Sequence, residues 1–95
     1  METREEYRQR AEAKIEELRP KVWIVKQRAE EMTGETRAEY DAVFEALHAK
    51  LKKTEESLQE LDEVDDETWQ DVKARLDGCL SDLNNSLGNV LSRLG

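Results

Sequence analysis

From Trp69 to Leu94 apolar side chains recur at Trp69, Val72, Leu76, Cys79, Leu83, Leu87, Val90 and Leu94. Steps of three and four hold side chains on one face of an α-helix. Leu80 and Leu91 widen the stripe, so this predicted helix can touch more than one neighbour. Residues 2–33 repeat the pattern with Tyr7, Ala11, Ile15, Leu18, Val22, Val25, Ala29 and Met32. Residues 35–63 do so with Tyr40, Val43, Phe44, Leu47, Leu51, Leu58 and Leu61, where Thr54 is the weak member. The pattern predicts an all-α chain.

Its interruptions carry as much information as its regularity. Pro20 removes a backbone donor and crowds the preceding turn, which predicts a kink near residues 16–19. Val22-Trp23-Ile24-Val25 is apolar on every side, so contact with one neighbouring helix buries Val22 and Val25 but leaves Trp23 and Ile24 wet. Gly34 suits a left-handed residue at a helix end, and Thr36 with Glu39 three residues later spells a capping box. Yet the apolar stepping keeps phase across Gly34, as a continuing helix would. Asp65 or Asp66 can cap the last helix, and Glu67 and Asp71 suit its positive end.

Folding the chain back at Val64 pairs Leu51 with Leu76, Leu47 with Leu80, and Tyr40 with Leu87, and brings Leu94 beside Gly34. Residues 2–33 then need a partner of their own. The expected fold is a single helical domain over residues 1–95, an antiparallel three-helix coiled-coil bundle with helices over 2–33, 36–63 and 66–94. The alternative is one long helix over residues 2–63, followed by a C-terminal hairpin that dimerises.

Composition narrows the function. The 95 residues are 40% charged and 37% hydrophobic with a net charge of −8, a balance typical of long helices when periodicity is sustained. The negative charge argues against nucleic acid, which is bound mainly by Lys and Arg replacing phosphate counterions. No apolar run approaches 18 residues and no signal-type segment follows Met1, so the expected location is cytoplasmic. Cys79 is the single cysteine, which excludes an intrachain disulfide.

Four segments carry a family likeness: Arg37-Ala38-Glu39-Tyr40, Leu47-His48-Ala49-Lys50, Ser57-Leu58-Gln59-Glu60-Leu61, and the run from Asp66 to Lys73 that opens the last helix. Together they resemble small bacterial coiled-coil proteins grouped as stress-response proteins. The resemblance implies a helical, cytoplasmic, non-enzymatic protein and carries over no catalytic or ligand residue. The chain departs from that pattern at Pro20, at Val22 to Val25, at Gly34 and in its nearly uncharged tail.

Candidate chemistry is sparse. His48 and Cys79 fall roughly opposite one another in the fold-back, and a Cys–His pair can activate a thiolate; no third orienting group or oxyanion loop accompanies them. Nine carboxylates and no Lys or Arg lie between Glu55 and Asp71, but an EF-hand glycine is missing from the sixth position of any loop starting at Asp62. No enzyme, metal or cofactor is therefore expected. Trp23, Ile24, Leu80 and Leu91 are the candidate partner-interface residues, since aromatic anchors are enriched at binding hot spots; the alternative for Trp23 and Ile24 is that they lie under the third helix of a compact bundle. The function expected is self-association, a homodimer included, or docking to a protein partner. The alternative is an amphipathic lipid-surface binder, which the scarcity of Lys and Arg in residues 81–95 disfavours.

Overall fold

The structure is a computed structural model that describes residues 2–94. Three helices, α1 (Arg4–Glu30), α2 (Gly34–Glu63) and α3 (Trp69–Leu94), run up, down and up in one rod of 51 × 19 × 15 Å. Each helix packs on both others. A continuous helix over residues 2–63 would measure roughly 90 Å at 1.5 Å per residue; instead α1 stops at Glu30.

The buried set follows the periodicity closely. Tyr7, Ala11, Ile15, Leu18, Val22, Val25 and Ala29 of α1 face Phe44, Leu47, Leu51 and Leu61 of α2 and Trp69, Val72, Leu76, Leu83 and Leu87 of α3. Met32 falls beyond α1 and is half-buried. Thr54 is fully buried, and its hydroxyl donates to the Lys50 carbonyl at 2.7 Å. That bond offsets the cost of a hydroxyl in an apolar seam. Pro20 lies on the exposed side of α1, which continues through it as one helix. Glu16, whose carbonyl Pro20 cannot serve, is exposed to water.

Both turns differ from expectation in detail. Thr33 is the N-cap of α2 but makes no side-chain capping bond, and Gly34 at φ +64° turns the chain into the helix. Only glycine adopts that conformation freely. The capping box expected at Thr36 and Glu39 is not formed, because α2 begins two residues earlier. The box that does form joins Thr3 and Glu6 at the start of α1, each side chain bonding the other's backbone N–H at 3.1 Å. At the second turn the Asp65 carboxylate accepts from the Thr68 N–H at 2.9 Å and hydroxyl at 2.6 Å, and α3 follows at Trp69.

Because residues 64–68 form a loop rather than a point, the α2–α3 register shifts from the simple mirror. Lys50 reaches Asp82 and Ser86, Ser57 meets Cys79, and Glu60 meets Arg75. Leu47 and Leu51 accordingly cluster with Leu83 and Leu87, whereas Leu76 joins Tyr7, Leu61 and Trp69. Leu94 lands beside Tyr40 and Val43, not beside Gly34. The end of α1 and the start of α2 therefore project past the last turn of α3.

Candidate docking surface

The rod has two unlike halves. In the half that holds the α2–α3 turn, the Arg4 guanidinium donates to the carbonyls of Val64 at 2.7 Å and Leu61 at 3.4 Å, and to the Asp66 carboxylate at 2.9 Å. It serves the C-terminal carbonyls of α2, whose own last turn has no basic residue. Arg8 pairs with Asp62, Arg19 with Glu55, Arg75 with Glu60, Lys73 with Glu2, and Lys50 with Asp82. Four of the nine carboxylates between Glu55 and Asp71 are thus acceptors for arginines on other helices. The buried Tyr7 hydroxyl donates to Asp77 at 2.7 Å. Burial, then the Asp77 hydrogen bond and charge, push its pKa well above the ordinary tyrosine value. Asp65 is held below its ordinary value by the Thr68 hydrogen bonds.

Among the described residues, the half that holds the α1–α2 turn takes part in one such side-chain tie between helices, Lys50 donating to the Ser86 hydroxyl at 2.8 Å. Among the described residues every ion pair between helices lies within residues 2–19 and 50–82. Residues 20–49 and 83–94 carry 5 Lys and Arg against 6 Asp and Glu, a net of −1. The rest carries 10 against 17, a net of −7. The three exposed large hydrophobics, Trp23 at 42%, Ile24 at 41% and Val43 at 37%, all fall in the nearly neutral half.

These three residues lie on three different sides of the bundle. Trp23 lies over α2, with ring centroids 5.2 Å from Phe44 and 5.7 Å from His48, and Lys26 stands over both Trp23 and Phe44. Successive helix residues are about 100° apart, so Ile24 cannot share that flank. It lies two turns beyond Glu17 on the side where Arg10, Lys14 and Glu17 border Asp77, Leu80 and Ser81 of α3. Val43 opens onto the α2–α3 groove, where Tyr40, Val90 and Leu94, with the charged Glu39 and Arg93, line about 240 Å³ around Val25. Neither Trp23 nor Ile24 is covered by the third helix. Leu80 and Leu91 pack partly buried against the core, so their widening of the α3 stripe is spent within the bundle.

The candidate reactive pair is separated. His48 stacks on Phe44 with centroids 5.4 Å apart, on the α1 side of α2, while Cys79 lies against Ser57 at 4.0 Å on the α3 side. Nothing brings the imidazole to the thiol. One feature escaped the periodicity because it is polar: Gly78, Ser81, Asn85, Gly88 and Ser92 line the outer face of α3 in steps of three and four, all exposed and uncharged. A Cβ at Gly78 or Gly88 would meet nothing within 4 Å, so packing inside the bundle requires neither glycine.

No family model, curated protein or solved structure matches the chain. Among the described residues no helix is long and apolar enough to cross a membrane.

Proposed function

We propose that this is a non-enzymatic helical protein that works by docking, its nearly neutral half meeting an apolar surface of a protein partner or of another copy. One observation carries the reading: among the described residues, all three exposed large hydrophobics lie in the half with no ion pair between helices and a net charge of −1. Buried interface patches are depleted in charge and enriched in aromatic anchors, and Trp23 supplies such an anchor. A role in a bacterial stress response is the setting that the family resemblance suggests for it. A lipid-surface role is less well supported, because Val72, Leu76, Leu83 and Leu87 of α3 are already buried and would have to leave the core to meet lipid.

A photoreactive side chain placed at Trp23 or Val43, with the same group at Gln9 of the acidic half as control, tests the reading in cells making the whole chain. Discrete protein adducts from Trp23 or Val43 and none from Gln9 are expected. Equal yields at all three positions, or none, would contradict it.

A further inference from the structure

We infer that the pocket between α2 and α3 over Cys79 is a modification site for a small carboxylate-bearing disulfide, half of which stays bound to the thiol. The site lies in the acidic half, away from Trp23, Ile24 and Val43, and does not depend on the docking reading. The pocket encloses about 290 Å³, at the small end of ligand sites. Its least exposed lining is Ser57, 8% exposed, and the half-buried Cys79. Gly78 lies beside the thiol and leaves the pocket open, since a Cβ there would meet nothing within 4 Å. Among the described residues the Ser57 hydroxyl has one hydrogen-bond partner, the Cys79 sulfur at 4.0 Å. Sulfur is a weak partner, so a buried hydroxyl is left with bonding capacity for an incoming group.

Charge selects the ligand. Around the thiol the lining carries Lys50, Lys53 and Arg75 against Asp82 alone, within the half of the chain whose net charge is −7. The bundle uses only part of this cationic capacity. Lys50 donates to Asp82 and Ser86, and Arg75 turns Nη1 and Nη2 to Glu60. Among the described residues Lys53 makes no ion pair, and the Arg75 Nε–H has no acceptor. An ammonium and a guanidinium N–H beside a thiol suit a carboxylate carried by the ligand.

The step is thiol–disulfide exchange. The Cys79 thiol gives its proton to water, and the thiolate attacks one sulfur of the disulfide. A bond from Cys79 Sγ forms as the ligand's own S–S bond breaks. The second sulfur leaves as a thiolate and takes a proton from water. One disulfide is spent and one is made, so no further oxidant is needed. The retained half keeps its carboxylate beside Lys53 and Arg75.

Reaction of the full chain with oxidised glutathione and with cystamine, a cationic disulfide, tests this. Each rate is divided by that of the same reagent with a neutral model thiol at the same pH. The normalised rate is expected to be about tenfold higher for oxidised glutathione, the low end for a focused field, with one adduct on Cys79 by mass spectrometry. A net charge of −8 alone predicts the reverse preference. Lys53→Gln and Arg75→Gln, both at exposed positions that folding tolerates, are each expected to shrink the preference severalfold, and high salt to remove it. Equal normalised rates, a preference for cystamine, or a preference that survives both substitutions would overturn the inference. So would a folded chain that forms no adduct with oxidised glutathione.

Discussion

Trp69 and Trp23 sit in the same bundle with the same indole to bury, and the bundle treats them oppositely. Trp69 opens α3 and is 8% exposed, tilted against Tyr7 with centroids 6.4 Å apart. Around it, Arg4 ties the α2–α3 turn to α1 and Tyr7 reaches Asp77. Trp23 follows Val22 on a stretch with no polar side, so one of its apolar residues must face outwards wherever α1 is placed. The difference shows where the chain spends its polar contacts: on closing one end, while the other is left nearly neutral, lightly tied and apolar at its surface.

Truncating each tryptophan breaks the comparison most forcefully. Trp69→Ala removes a buried aromatic and is expected to cost about 3–5 kcal/mol, whereas Trp23→Ala is expected to cost less than about 1 kcal/mol, typical of a surface substitution. Urea unfolding of the two variants measures this, and equal losses would refute the contrast. Next in size is Arg4→Ala, which leaves the carbonyls of Leu61 and Val64 without their cationic donor. A loss of about 1–2 kcal/mol is expected, read from the thermal midpoint.

The glycines sharpen the picture with opposite signs. Gly34→Ala forces a side chain into positive φ and is expected to cost roughly 1–2 kcal/mol. Gly78→Ala and Gly88→Ala add helix propensity where a Cβ meets nothing, so each is expected to gain up to about 1 kcal/mol. Calorimetry that showed all three destabilising would place an unrecognised close contact on the outer face of α3.

The smallest effects are in pH. Tyr7 has a folded-state pKa above its ordinary value of 10.0, with burial as the main cause. Its contribution is therefore complete below pH 10.0 and is lost as pH rises beyond it. Asp65 is shifted below its ordinary 3.8, so its contribution is present above that value and fades as pH falls through the lowered one. Tyr7→Phe is expected to flatten the alkaline limb of a stability profile and leave the acid limb in place; an unchanged alkaline limb would count against the Tyr7 assignment.

Much of this bundle is legible in the chain, because period and burial coincide: seven of the eight apolar positions read in residues 2–33 are buried core residues. What is not legible depends on contacts that cross between helices. The same Thr-x-x-Glu spelling occurs at Thr3 and at Thr36, yet only Thr3 caps, because Gly34 lets α2 begin before Thr36. Residues 64–68 consume chain length in a loop, which moved Leu94 from Gly34 to Tyr40 and left the groove beside Val43 open. Arg4 and Arg8 read locally as solvated charges; only the fold brings them to Asp66 and Asp62. Trp23 and Ile24 are adjacent in sequence, and for that reason cannot share one groove of a helix.

Amide hydrogen exchange tests the unequal halves most directly. Residues 26–42 and 88–94 are expected to exchange ahead of residues 7–15, 54–61 and 72–80. Faster exchange in the acidic half would contradict the account.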